Sequence, residues 1–234
     1  MRKLRHSMAC ALLAAGILVF QACTSDDGYE PMGNYPNALV TIKSNPSTGQ
    51  VYFQLDDSTT VLPVNMKASP YGNRELRAIA NLTGVKGQRG HYSQTAYVNW
   101  IDTILTKKMA PDLMKENDKA YGKDPIEVVN SWMTVAEDGY LTLRFRTYSG
   151  NGCRHRLNLV KGDKPDEVVL HHQVLGYTNG VVRDGMVAFR LDDQPGNVAI
   201  EKPKARFLTL RWNSFSGVKT VRFKYIPRAS SPTP

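Results

Sequence analysis

Cysteine is scarce in this chain: there are three in 234 residues, Cys10, Cys23 and Cys153. Three cysteines make no disulfide framework, so any domains here must stand on hydrophobic cores. Long apolar runs are also missing. The longest, Met8 to Phe20, has thirteen residues, where a membrane-spanning helix needs about 20. The signatures of common hydrolases and metalloenzymes are absent too. There is no His-Glu-x-x-His, no paired cysteine ligands, no calcium loop and no Gly-x-Ser-x-Gly elbow. Gly84, Gly87 and Gly90 in GVKGQRG do not lead from a strand into a helix, which argues against a phosphate loop. These absences predict a protein that is not an enzyme and carries no metal or cofactor.

The N-terminus holds an address. Arg2-Lys3-Leu4-Arg5, the apolar run and small Ala22 follow the order of a secretory signal peptide, residues 1–22. Cys23 stands directly after it. Gln21-Ala22-Cys23 resembles the lipobox of bacterial lipoproteins, in the looser form of Bacteroidetes-type bacteria, and the resemblance implies that Cys23 is acylated. Each buried acyl CH₂ contributes about 0.8 kcal/mol, so two or three chains anchor a protein stably where one does not. Asp26 and Asp27 resemble the acidic signal that sends such lipoproteins to the outer face of the outer membrane. The plainer reading makes them part of a solvated tether, with a periplasm-facing protein as the alternative. Removal of residues 1–22 leaves 212 residues and lowers the net charge from +9 to +6.

Two domains of about 100 residues fit that length. Residues 23–37, rich in Gly, Pro, Asn and Asp, form an expected tether. Over 38–108, ALVTIK, VYFQL, TTVLPV and AYVNWIDTILTK read as strands, while RELRAIANLTGV fits either a helix or a strand. Five short strands predict a small closed barrel, an OB-type barrel being one candidate. Residues 109–124 read as a connector, with a short helix opened by Pro111 and ended by Gly122 and Pro125. Residues 125–228 alternate strongly: Leu141, Leu143 and Phe145 against Thr142, Arg144 and Arg146. About seven strands predict an antiparallel sandwich. The tail, 229–234, is expected to be disordered.

The chain resembles the NigD-like lipoproteins of Bacteroides and Prevotella relatives. VYFQLDDSTTVLPVN, YVNWIDTILTK, ENDKAYGKDPIEV, WMTVAEDGYLTLRFRTYSGNGCRHRLNLV and the closing GMVAFRLDD and FLTLRWNSFSGVKTVRFKY carry the resemblance, over about residues 38–226. It implies an all-β chain with an N-terminal OB-like barrel and a C-terminal Ig-like β-sandwich. It also implies a link to a bacteriocin gene cluster, with an immunity or accessory role.

Candidate chemistry is thin. His171 and His172 are neighbours in a strand and face opposite ways, so regular β geometry cannot bring both to one metal. Asp56-Asp57 and Asp192-Asp193 read as turn residues rather than a facing carboxylate pair. Cys153, flanked by Arg154, His155 and Arg156, reads as a bystander. The expected sandwich carries a net +6 over residues 125–228. If their strands share a sheet, Arg144, Arg146, Arg211, Arg222 and Lys224 form a cationic plate for polyanions; the plainer reading is a solvated face. Tyr92, Tyr97 and Trp100 would suit base stacking, but the export signal argues against nucleic acid. The leading expectation is therefore a binding module for an envelope protein. The alternative is a surface lipoprotein for polyanions or host glycans.

Overall fold

The computed structural model describes residues 31–177, 180–191 and 204–228. The expected signal peptide, Cys23, Asp26, Asp27, Asp192-Asp193 and the 229–234 tail lie outside the described residues. No described helix is long and apolar enough to cross a membrane.

Five strands close the first barrel: β1 (Asn34–Ser44), β2 (Val51–Gln54), β3 (Thr60–Pro63), β4 (Leu76–Gly84) and β5 (Gln94–Thr103). Their order is β1-β2-β3-β5-β4, and β4 returns to β1. Val40, Ile42, Phe53, Val61, Ala78, Ala80, Leu82 and Ala96 fill the interior. The ambiguous RELRAIANLTGV segment is strand β4, because alternate residues Ala78, Ala80 and Leu82 point inward. β1 starts at Asn34 rather than Ala38, with a register shift between Tyr35 and Ala38.

The expected barrel boundary at 108 falls too late. The chain crosses at Ile104, which is buried and donates its N–H to Arg77 O at 2.8 Å. β6 (Leu105–Lys108) then joins the second domain, pairing in parallel with a later strand. The connector places a 3-10 turn at Met114–Glu116 and α1 at Asn117–Tyr121, so its helix starts later than Pro111. Gly122, at φ 83°, ends it.

The sandwich contains β7 (Glu127–Val128), β8 (Val135–Glu137), β9 (Tyr140–Tyr148), β10 (Arg154–Lys161), β11 (Glu167–Leu175), β12 (Val182–Arg190), β13 (Arg206–Ser214) and β14 (Gly217–Tyr225). One sheet runs β6-β12-β9-β7, with β8 also on β9, and the other runs β10-β11-β13-β14. Most pairings are antiparallel; β6 with β12 and β11 with β13 are parallel. Leu141, Leu143, Leu159, Val168, Val187, Phe189 and Leu210 pack between the sheets.

Barrel and sandwich are welded together. Leu39 and Ile104 pack against Tyr140 and Ala188 in a third apolar cluster. Beside it, the Asp138-Gly139 turn between β8 and β9 has φ values of 46° and 74°, a two-residue hairpin of the I′ kind. This turn reaches the barrel. Asp138 takes Lys43 Nζ at 2.7 Å and Arg228 Nη2 at 3.1 Å, and its N–H donates to Asp57 Oδ1 at 2.7 Å. Arg77, wholly buried, donates to Glu137 Oε1 at 2.5 Å and to Thr41 and Thr142.

Candidate functional site

The cationic plate does not assemble. Arg144 and Arg146 lie on β9, whereas Arg211, Arg222 and Lys224 lie on β13 and β14 of the other sheet. Their outward faces therefore look in opposite directions from the sandwich. Alternation along each strand places the charges outward as expected, but long-range pairing separates them. Local partners occupy several of them as well. Asp184 on β12 accepts from Arg144 Nη2 at 2.5 Å and Arg146 Nε at 2.7 Å. Bonds from Arg146 and then Arg144 hold the Asp184 carboxyl down to about 2. Arg211 stands 3.6 Å from Glu167 and 3.7 Å from Asp163. Arg222 stacks 4.3 Å from the Phe207 ring centroid.

A groove of about 580 Å³ lies at the junction and is lined by Lys43, Tyr52, Asp57, Glu75, Asp138 and Arg228 among others. Its charges are engaged with one another. Arg228 Nη1 is 2.7 Å from Glu75, and Tyr140 donates to Glu75 at 2.6 Å. Burial opposes the charge on Arg228, but Asp138 and Glu75 outweigh it and raise its pKa. This groove works as a clamp between domains.

The far end of the sandwich differs. β9 begins at the junction with Tyr140, and its nine residues carry Tyr148 about 27 Å away. There Tyr148 meets Phe215 edge-on, ring centroids 5.2 Å apart. Val182 pairs with Tyr148, and Val181 O accepts from Ser149 N at 3.1 Å. Tyr177, 72% exposed, lines a recess with Val181 and Ser149. Tyr148, Phe215, Tyr177, Val181 and Val182 are all exposed and are contributed by four strand ends on this side of the sandwich, an exposed apolar group. Sequence reasoning missed it, because these residues come from separate turns and only the fold brings them together.

A second group lies beside this end. His172 Nδ1 donates to Pro125 O at 3.2 Å, and His172 Nε2 lies 3.0 Å from His155 Nδ1. His155 Nε2 lies 3.4 Å from Cys153 Sγ. His171 faces the other way, as alternation requires, and bonds Gly122 O at 3.0 Å under the connector. Both adjacent histidines are buried, not surface residues. Burial lowers the pKa of His155; burial and then His155 lower that of His172. Cys153 thus has a histidine partner.

Among the described residues no group of three or more His, Cys, Asp or Glu is arranged to hold a metal. Asp56 is a turn residue: its Oδ1 accepts from Ser58 N at 2.8 Å and Thr59 N at 2.7 Å. Tyr92 is buried, while Tyr97 and Trp100 are exposed on β5.

Several known proteins share this architecture. A toxin-related protein from Parabacteroides distasonis is 26% identical, with a TM-score of 0.66, covering 82% of this chain and 93% of its own. A NigD-like immunity protein from Bacteroides caccae is 17% identical, with a TM-score of 0.56, covering 86% of this chain and 100% of its own. A lipoprotein from Bacteroides fragilis shares the fold at 14% identity and a TM-score of 0.51, covering 86% of this chain and 100% of its own. No curated protein matches the chain. The signature of the NigD-like N-terminal OB domain matches residues 39–104, and that of the NigD-like C-terminal beta sandwich domain matches residues 108–225. With the second signature alone spanning half of its length, the chain belongs to the NigD-like family.

Proposed function

We propose that this protein is a non-enzymatic, lipid-anchored protein of the cell envelope that docks another envelope protein on the far end of its sandwich. The exposed Tyr148, Phe215, Tyr177, Val181 and Val182 carry the reading. Large apolar side chains gathered in exposed positions at one end of a domain mark a surface that a partner covers. Aromatic side chains such as Tyr148 and Phe215 are also enriched at protein interfaces. The Gln21-Ala22-Cys23 lipobox supports anchoring through Cys23, and Asp26 and Asp27 support delivery to the outer face of the outer membrane. Relatives named as toxin-related and as an immunity protein are consistent with an accessory or bacteriocin-immunity role. The polyanion reading loses its main support with the division of the cationic plate between two faces.

Two experiments test this. Cys23→Ala should release the protein from the membrane fraction, and protease added to intact cells should digest the wild type. Retention of the variant would sink the lipid anchor, and protection from protease would place the protein on the periplasmic side. A photocrosslinking residue at Tyr177 should trap one envelope protein in living cells, and Phe215→Asp should abolish the adduct. The same probe at Lys224, on the outer face of β14, should trap none. Equal adducts from both positions would overturn docking at the sandwich end.

A further inference from the structure

We infer that Cys153 is a reactive thiol that exchanges with low-molecular-weight disulfides, and that His155 takes its proton. The surrounding hydrogen bonds run in one self-consistent direction. Pro125 O can only accept, so His172 Nδ1 carries a proton. Neutral His172 then presents Nε2 as an acceptor, and His155 Nδ1 donates to it at 3.0 Å. That leaves the lone pair on His155 Nε2 facing Cys153 Sγ at 3.4 Å, where the thiol donates. Burial lowers the pKa of both rings, so His155 rests neutral with its lone pair available, while the same burial opposes the charge that it gains on taking the proton. A nucleophile, a base beside it and a third group orienting the base make up the arrangement of an activated thiol.

The surroundings leave room for a reactant. A recess of about 300 Å³ beside the relay is lined by Pro125, Tyr148, Val174, Gly176 and Phe215 among others. Gly176, at φ 105°, forms part of its wall, and a β-carbon there would sit 3.4 Å from Cys153 Cα. Gly176 sets this wall against the Gly152–Cys153 backbone, and the Tyr148–Phe215 pair gives the recess an aromatic side. Disulfide exchange needs only a nucleophile and a proton acceptor, whereas acyl transfer would also need donors to an oxyanion. The compartment that the export signal addresses is one where disulfides persist.

The step balances without a further reactant. Cys153 Sγ gives its proton to His155 Nε2 and attacks one sulfur of the disulfide R–S–S–R. The old S–S bond breaks as the new Cys153 Sγ–S–R bond forms. The departing R–S⁻ collects the proton from His155. Cys153 is oxidised to a mixed disulfide and one half of the reagent is reduced to a thiol. Tyr148 and Phe215 also belong to the proposed docking surface, so a docked partner would cover this recess; the test uses the free protein, and its failure leaves the docking reading standing.

The test uses the full chain in detergent, with Cys10→Ser and Cys23→Ser so that Cys153 is the only thiol. The aromatic disulfide 5,5′-dithiobis(2-nitrobenzoate) reports the rate from pH 6 to 10. His155→Gln should slow the reaction about tenfold or more at pH 7. The difference should close near pH 10, where hydroxide ionises the thiol unaided. His172→Leu should behave like His155→Gln, and His172→Gln, which keeps an acceptor oxygen, should restore the native profile. Without any variant, the folded-to-urea-unfolded rate ratio should be at least about tenfold higher at pH 7 than at pH 10. An equal slowing at both pH values would mean altered access alone and would overturn the inference. So would an unchanged rate in His155→Gln, or a folded-to-unfolded ratio that does not vary with pH.

Discussion

Arg77 Nη2, from the barrel strand β4, donates to Glu137 Oε1 of the sandwich at 2.5 Å, and the arginine has no exposed surface at all. A guanidinium so placed cannot be rehydrated if its partner is lost, and breaking such a pair costs about 3–5 kcal/mol. Burial raises the Glu137 pKa, and Arg77 offsets only part of that. A buried pair of this kind adds little net stability when intact, because desolvation offsets the attraction. Arg77→Ala should lower unfolding stability by about 3–5 kcal/mol in urea titration. Arg77→Met with Glu137→Leu should recover much of the loss, though not all, because Thr41 and Thr142 lose their shared partner. A single-variant loss below about 1 kcal/mol would show that the pair is dispensable.

Gly139 is a second point of attachment. Its φ of 74° is one that L residues avoid, and a β-carbon would lie 2.7 Å from Arg228 Nε. Gly139→Ala should cost about 1–2 kcal/mol from the backbone alone, and more as Arg228 is pushed from Asp138. Asp138→Asn should weaken the same joint without straining the turn. If Gly139→Ala unfolds at the same urea concentration as wild type, the turn does not set the junction.

The buried histidines make stability depend on pH. His172 is packed against His155 from β10 and against Asp124 and Pro125 of the connector, and burial holds its pKa below 6.5. The unfolded chain therefore binds the proton first as pH falls. The contribution is fully present above about pH 6.5 and is lost as pH drops through the lower folded value. The urea midpoint should fall between pH 7.5 and 5, and His172→Gln should flatten that fall. A midpoint that is level over this range would contradict a neutral, buried His172.

Asp184 governs the charge available on one sheet. Its carboxyl, held near 2 by Arg146 and Arg144, stays ionised and keeps both guanidinium groups occupied across the physiological range. Asp184→Asn should therefore raise the salt needed to elute the protein from heparin. The Arg144→Gln, Arg146→Gln double variant should move native elution little. Equal elution of wild type and Asp184→Asn would mean that this face has no latent anion affinity.

Much of the fold could be read along single strands. YLTLRFRTY alternates as a strand with one buried face, and Leu141, Leu143 and Phe145 are the residues that it buries. Asp138-Gly139 marked its hairpin by turn chemistry. What could not be read depends on pairings distant in sequence. Arg144 and Arg222 look alike in pattern, yet one pairs through β12 and the other through β13. His155 meets His172 only once the β10–β11 register sets Leu157 opposite His172. One cue was present: Ala38 to Ile42 is apolar or β-branched at successive positions, and all five are buried. A barrel strand without a polar face is covered on both sides. The outer cover here is the sandwich, which also explains the buried Arg77.

The handover at Ile104 bears on how such proteins can change. The OB signature ends at residue 104 and the sandwich signature begins at 108, so the stretch between them looks like a seam at which modules could be exchanged. β6 occupies that stretch, continues the run of β5, and is nonetheless the edge strand of the sandwich sheet. A graft made there would carry away a strand from one neighbour or leave it bare for unwanted pairing. The stretch that reads as a seam is therefore a strand that belongs structurally to the sandwich while running on from the barrel.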